Sequence, residues 1–263
     1  MRRITGVLSG KGGVGKTTVS VNLGLAMHKL GEDVIVVDGD MKNPNFGLHL
    51  GVFDYHTTIQ DVLERDYPST MDPSERGSSI LDALHIHKTG LRFIPASISL
   101  QYLNIDSTSL KDTFASIDSD VLIDSPPGLG KDVTSVLEAC DEIIIVTAPH
   151  LPDLTDCLKT IQVARDMGVT IKGIVLNSAR GKSYEVSTQE IEAISATKIL
   201  QAIPWDERVL KSLSMKVPVV ESYPHSRASI AFYKLASQFT GKDYNKPGFL
   251  GLRRFISSFQ PSR

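Results

Sequence analysis

Short apolar runs recur along the chain, separated by stretches with helical periodicity. Ile4–Ser9 is the first. Glycines follow it, then a helical pattern from about Thr17 to Leu30 that Gly31 stops. Val34-Ile-Val-Val-Asp38 is β-branched without polar alternation, the pattern of a strand buried on both faces. Asp120–Asp124, Glu142–Thr147, Ile171–Asn177 and Lys198–Ile203 repeat it, and amphipathic stretches near 131–139, 153–167 and 187–196 lie between them. This alternation predicts an α/β fold, a mainly parallel sheet with helices on both faces. Residues 52–118 are less regular. Within them, Tyr67–Ser79 reads as an exposed loop and Leu91–Pro95 as a further strand. The expected organisation is a domain over 1–240, a linker over 241–248 and a short tail over 249–263.

Composition narrows the class without naming it. Of 263 residues, 28 are Lys or Arg and 30 are Asp or Glu, for a formal net charge of −2, and the mean hydropathy is −0.03. That balance argues against disorder and against a nucleic-acid binder working by bulk basicity. No apolar run approaches the ~18 residues of a membrane span, and the first residues do not read as a signal peptide. Two cysteines, Cys140 and Cys157, make no disulfide framework, which fits a reducing cytoplasm. They are expected to be buried, inert thiols.

The chemistry concentrates at three strand ends. Gly10-Lys11-Gly12-Gly13-Val14-Gly15-Lys16-Thr17, followed by Thr18, fits G-x-x-x-x-G-K-[ST] between a strand and a helix. Glycines let successive backbone N–H groups turn toward phosphate oxygens, and the helix adds its positive end. Lys16 is expected to reach the β- and γ-phosphates and Thr17 to bind Mg²⁺. The second strand ends in Asp38-Gly-Asp40. Asp40 is the candidate for orienting an attacking water, and Asp38 for holding the Mg²⁺ hydration shell or the catalytic loop. Asp124, at the end of a third strand, is a further candidate near Mg²⁺, and Pro126 and Gly128 in the Pro-Pro-Gly-x-Gly run after it shape a turn. The late strand ends at Asn177 without the Lys-x-Asp that pairs guanine.

Lys11 is a second lysine inside the phosphate loop, and with it the run is the deviant Walker A signature. Here the sequence resembles the ParA/MinD family of ATPases, which also includes nitrogenase reductase and arsenite- and tail-anchor-handling ATPases. The resemblance implies a P-loop NTPase fold and a nucleotide-sandwich homodimer in the ATP-bound state, in which Lys11 crosses to the partner's phosphates. It assigns Asn45 to switch I, the Pro126–Gly130 run to switch II, and Asn177 to the adenine, with Pro204 and Asp206 flanking the base. Trp205 stands between base contact and surface packing. The implied cofactors are ATP and Mg²⁺, and the implied activity is ATP hydrolysis, slow without a regulatory protein of unknown identity.

The tail is the second discriminating feature. On a helix at ~100° per residue, Phe249, Leu252, Phe255, Ile256 and Phe259 share an arc of roughly 120°, with Leu250 off the stripe and Arg253 and Arg254 on the other side. Such a segment suits a membrane interface. Residues 242–263 carry a charge of +4 and the rest −6, which favours an anionic membrane over DNA. MinD-type proteins have a similar tail. The expectation is therefore an ATPase that is cytoplasmic and reversibly membrane-bound, positions a division or other surface apparatus, and needs no specific nucleic acid. The alternatives are a ParA-type DNA-segregation ATPase, a metal-cluster carrier, which the lack of C-x-x-C disfavours, and a scaffold that holds nucleotide without hydrolysing it. The His85-x-His87 pair is expected to lie on the surface without a metal.

Overall fold

In a computed structural model, which describes residues 2–65, 79–99 and 110–244, the apolar runs pair into one eight-stranded sheet. The strands are β1 (Ile4–Leu8), β2 (Val34–Asp38), β3 (His85–Ile86), β4 (Arg92–Ile94), β5 (Asp120–Asp124), β6 (Glu142–Thr147), β7 (Thr170–Ala179) and β8 (Ile199–Pro204). Their order is β3-β4-β2-β5-β1-β6-β7-β8, and only β3 runs antiparallel to its neighbour. The two-residue β3 was not anticipated; it is too short to carry a period.

Both faces of the sheet are covered, which explains the missing polar alternation. Along β2, Val34 and Val36 pack into one apolar cluster, while Ile35 and Val37 pack into another on the opposite side. The first cluster lies beneath α1 (Lys16–Lys29) and the last helix of the described chain (Arg227–Thr240). The other face is covered by α3 (Ile59–Arg65), α4 (Leu110–Thr113), α5 (Lys131–Ala139), α6 (Leu151–Asp166) and α7 (Thr188–Ser195). α7 opens with a full capping box, Ser187 and Glu190 each satisfying the other's end of the first turn. One-turn α2 (Phe46–Leu50) follows β2, and α8 (Glu207–Ser214), α9 (Val219–Ser222) and α10 (Arg227–Thr240) complete the chain order.

The topology brings distant motifs together. β2, β5 and β1 are adjacent, and Asp38 and Val7 both lie in register with Asp124. The carboxyl ends of these three strands therefore open on one site, as expected where ligands bind in open parallel sheets. The chain leaves at the opposite end. Arg3, just before β1, donates to the carbonyl of Phe239, and Lys242 pairs with Glu32, just before β2. The loop expected at 67–78 and the tail residues Phe249, Leu250, Leu252, Arg253, Arg254, Phe255, Ile256 and Phe259 lie outside the described residues.

Candidate functional site

Gly10–Thr17 folds as a tight loop between β1 and α1. Gly15 caps α1 with φ at 87°, and a Cβ there would sit 2.2 Å from the side-chain amide of Asn177. A Cβ on Gly10 would meet the carbonyl of Asp156 at 2.2 Å, because α6 packs directly on the loop. Side chains are excluded at both places, so only glycine lets Asn177 and α6 approach the loop this closely. Asn177 donates to the carbonyl of Val14 at 2.8 Å, joining the end of β7 to the loop.

Asp124 is the hub. Its carboxylate accepts from the Lys16 ammonium at 2.9 Å, from the Thr17 hydroxyl at 2.6 Å and from the Ser20 hydroxyl at 2.8 Å. Lys16 and Asp124 are both buried. Asp38 lies beside them and accepts from the backbone amides of Asp40, Asn45 and Phe46. Burial first, then Asp124 and more weakly Asp40, push the Asp38 carboxyl up to about 8, against the Phe46 amide and Lys16. Asp40 is also buried and accepts from the amide of Asn43 at 3.0 Å; burial raises its pKa.

Lys16, Thr17, Thr18, Asp40, Asn45 and Pro127 share a cavity of about 370 Å³. A second cavity of about 230 Å³ adjoins it across Gly13, Gly15 and Thr18, bounded by Asn177, Pro204, Trp205 and Asp206. One suits a polyphosphate and the other a flat base. Asp206 also caps α8, accepting from the Arg208 amide at 3.0 Å. Trp205 is 41% exposed, and the Arg180 guanidinium covers its ring at 4.4 Å. A further cavity of about 380 Å³, lined by Pro44, Leu48, Phe53, Tyr55 and Ile98, lies beyond α2. It contains none of the phosphate-loop residues, so size alone misdirects there.

Magnesium and phosphate fit these residues. Three carboxylates, Asp38, Asp40 and Asp124, crowd around one buried ammonium, an excess of negative charge that a divalent cation balances. Gly13 and Gly128 face open space, with nothing within 4 Å of an added Cβ. Among the described residues no cluster of His, Cys, Asp and Glu could hold a metal alone. Mg²⁺ with nucleotide needs no such cluster, since phosphate oxygens and waters supply most of its shell.

Gly128, at φ 88°, forms the turn after Asp124 and donates its amide to the Ser9 carbonyl at 3.1 Å. The second loop therefore folds against the first. The His85-x-His87 pair is not a surface pair. His87 is buried and holds the Leu50 carbonyl, and His85 reaches the Thr57 carbonyl. Pro126 accepts from the Ser125 hydroxyl. Lys11 stays half-exposed and pairs with Asp153 at 3.2 Å. Burial pushes the Cys157 thiol up to about 12 and raises that of Cys140 further, so both are inert.

Ser9, Asn43 and His49 also line the phosphate cavity and escaped the sequence reading. His49 of α2 sits 3.1 Å from the Thr18 hydroxyl and 3.1 Å from the Asn45 carbonyl. Its only sequence signal is the i, i+4 spacing from Asn45 just after the Asp38–Asp40 turn.

Comparison with known proteins agrees with this geometry. Residues 6–219 match the model of the CobQ/CobB/MinD/ParA nucleotide binding domain. An uncharacterized ATP-binding protein of Methanocaldococcus jannaschii is 34% identical over 239 residues, covering 89% of this chain and 87% of its own length. The cell division ATPase MinD of Pyrococcus furiosus superposes with a TM-score of 0.82 at 30% identity, over 92% of this chain and 99% of that one. The septum site-determining protein MinD of Pyrococcus horikoshii, complexed with Mg-ADP, gives 0.82 at 30% identity, over 91% and 96%. The chain belongs to the CobQ/CobB/MinD/ParA nucleotide-binding family, as a MinD-type P-loop ATPase that uses ATP and Mg²⁺.

Proposed function

We propose that this ATPase is a dimerising membrane switch that positions a division or other surface apparatus. The observation that carries the reading is the convergence of the phosphate loop and Asp40 on one cavity, with Asp124 bonded to its Lys16 and Thr17 and Asp38 in register beside Asp124, in a chain whose sequence carries an amphipathic basic tail. Lys16 would exchange part of its contact with Asp124 for the β- and γ-phosphates. Thr17, Asp38 and Asp124 would hold Mg²⁺, which supplies charge neutralisation of the phosphate oxygens. Asp40 would place the attacking water, and Asn177, Pro204 and Asp206 would bound the base. Positioning and charge then carry the rate.

Lys11 would leave Asp153 and reach a second subunit's phosphates. That exposed pair is worth at most ~1 kcal/mol, so its loss is a small obstacle. Dimerisation would pair two tails, and avidity would hold the protein on an anionic bilayer until hydrolysis opened the dimer.

The experiment pairs ATP turnover with sedimentation on anionic liposomes and on duplex DNA in one buffer. ATP-dependent liposome binding that is lost on deleting 249–263, with turnover lost in Asp40→Ala, is the expected result. ATP-dependent, salt-sensitive DNA binding without liposome binding would replace this reading with a DNA-segregation role.

A further inference from the structure

His49 bridges two parts of the site. It projects from α2, which directly follows the Asp38–Asn45 segment, and its ring reaches across to Thr18 on the first turn of α1. The partners define its tautomer. A carbonyl oxygen only accepts, so Nδ1 facing Asn45 must carry the proton. In the neutral ring Nε2 is then bare and accepts from the Thr18 hydroxyl. Burial, first among the influences, keeps the ring neutral.

The bridge closes a frame around Asp40. The Asp38 carboxylate grips the start and end of the segment through the amides of Asp40 and Asn45. The Asn45 carbonyl receives His49 and the Leu48 amide. Thr18 is itself held, since its carbonyl accepts from Asn22 at 2.8 Å. Without the imidazole, the segment carrying Asp40 and Asn43 keeps its anchor on β2 and the apolar packing of Phe46 and Leu50, and loses this directional hydrogen-bonded tie to the helix that starts at the phosphate loop.

We propose that His49, as the Nδ1–H tautomer, is a positioning residue that indexes the Asp40 segment to α1 and so sets Asp40 against the phosphate loop. It does not touch the reacting atoms. The inference rests on the ATPase reading of the site and names a regulator of its geometry. A displacement of the Asp40 carboxylate acts on turnover more than on nucleotide binding, because the loop amides and Lys16 stay in place.

The test uses the full chain with His49→Leu, which removes both contacts, and His49→Gln, whose amide reaches the position of Nε2 and can accept from the Thr18 hydroxyl. His49→Leu should lower kcat about tenfold while KM for ATP stays within about twofold. His49→Gln should recover most of the loss. ¹⁵N shifts of the wild-type ring should show a protonated Nδ1 and a bare Nε2, and amide exchange over 45–48 should be faster in His49→Leu than in wild type. The proposal is overturned if His49→Leu turns over like wild type, if KM rises while kcat holds, if His49→Gln is as slow as His49→Leu, or if the ring carries its proton on Nε2. A wild-type chain that shows the tautomer, with faster exchange in His49→Leu, yet hydrolyses no ATP would sink the ATPase reading and leave the bridge standing as a structural tie.

Discussion

At the scale of the residue, Asp38 gives the metal-free site its pH dependence. Its carboxyl lies near 8 in the folded chain, against an ordinary value of 3.8. Between those values the folded protein holds a proton that the unfolded chain has released. Stability therefore falls as pH rises through the window, with a slope approaching about 1.4 kcal/mol per pH unit for one full proton. Thermal melts in EDTA should show the fall between about pH 5 and about pH 8. Asp38→Asn should flatten it, whatever constant cost comes from turning an amide toward the Asp40 N–H; an unchanged slope would count against the shift. Mg²⁺ with nucleotide should flatten it too, since cations favour the ionised form. The pattern Asp-Gly-Asp after an apolar run was legible as a paired-carboxylate site. That the Asp38 carboxyl is pushed up to about 8 was not, because it depends first on burial under the folded chain and then on Asp124, 86 residues away and in register across the sheet.

At the scale of the element, the strands were the most readable because burial on both faces removes every polar residue from their centres. β1, β2, β5 and β6 fall where the apolar runs do. Helices α8, α9 and α10 were not anticipated, although α10 carries its own punctuation, Ser226 as N-cap and Gly241 at φ 66° as C-cap. Its apolar residues share a face that packs on the sheet, with Arg227, Lys234 and Gln238 exposed on the other. α1 differs: ten of its 14 residues are buried, so its periodicity is weak and packing holds it. Three of the ten are polar, Lys16, Ser20 and Asn22. Asn22 accepts from the Val220 amide at 3.1 Å, tying α9 to α1. Asn22→Leu keeps the volume and orphans that amide. Urea unfolding should show a loss of about 2 kcal/mol, and a loss below about 0.5 kcal/mol would mean the amide finds another partner. His49 was missed for a related reason. Its meaning arises only when α2 lies against α1, and a one-turn helix carries no period to announce its faces.

At the scale of the whole molecule, phosphate chemistry and chain exit lie at opposite ends of the parallel strands. The nucleotide cavity opens at their carboxyl ends, while Lys242 lies against Gly31 and Glu32, and Tyr244 stacks on Tyr233 of α10 at 4.4 Å. The signature Lys11 was legible from one residue in an octapeptide; this separation was not, since it follows from strand direction and the course of α10. If two tails are needed for membrane residence, a constitutive dimerisation module fused ahead of residue 1 should make liposome binding independent of ATP, even in Lys16→Ala. Sedimentation with and without nucleotide measures it, and continued ATP dependence would show that the nucleotide also acts within each subunit.

The distance between the two ends is bridged by single rigid elements. α1 runs from Lys16 at the phosphate loop to Lys29, and the Gly31 carbonyl just beyond it accepts from Lys242 at 3.1 Å. β2 likewise runs from the neighbourhood of Glu32, the partner of Lys242, to Asp38 at the site. A shift of the phosphate loop against the sheet would therefore arrive at Lys242 as a displacement of one helix end, with no intermediate joint to absorb it.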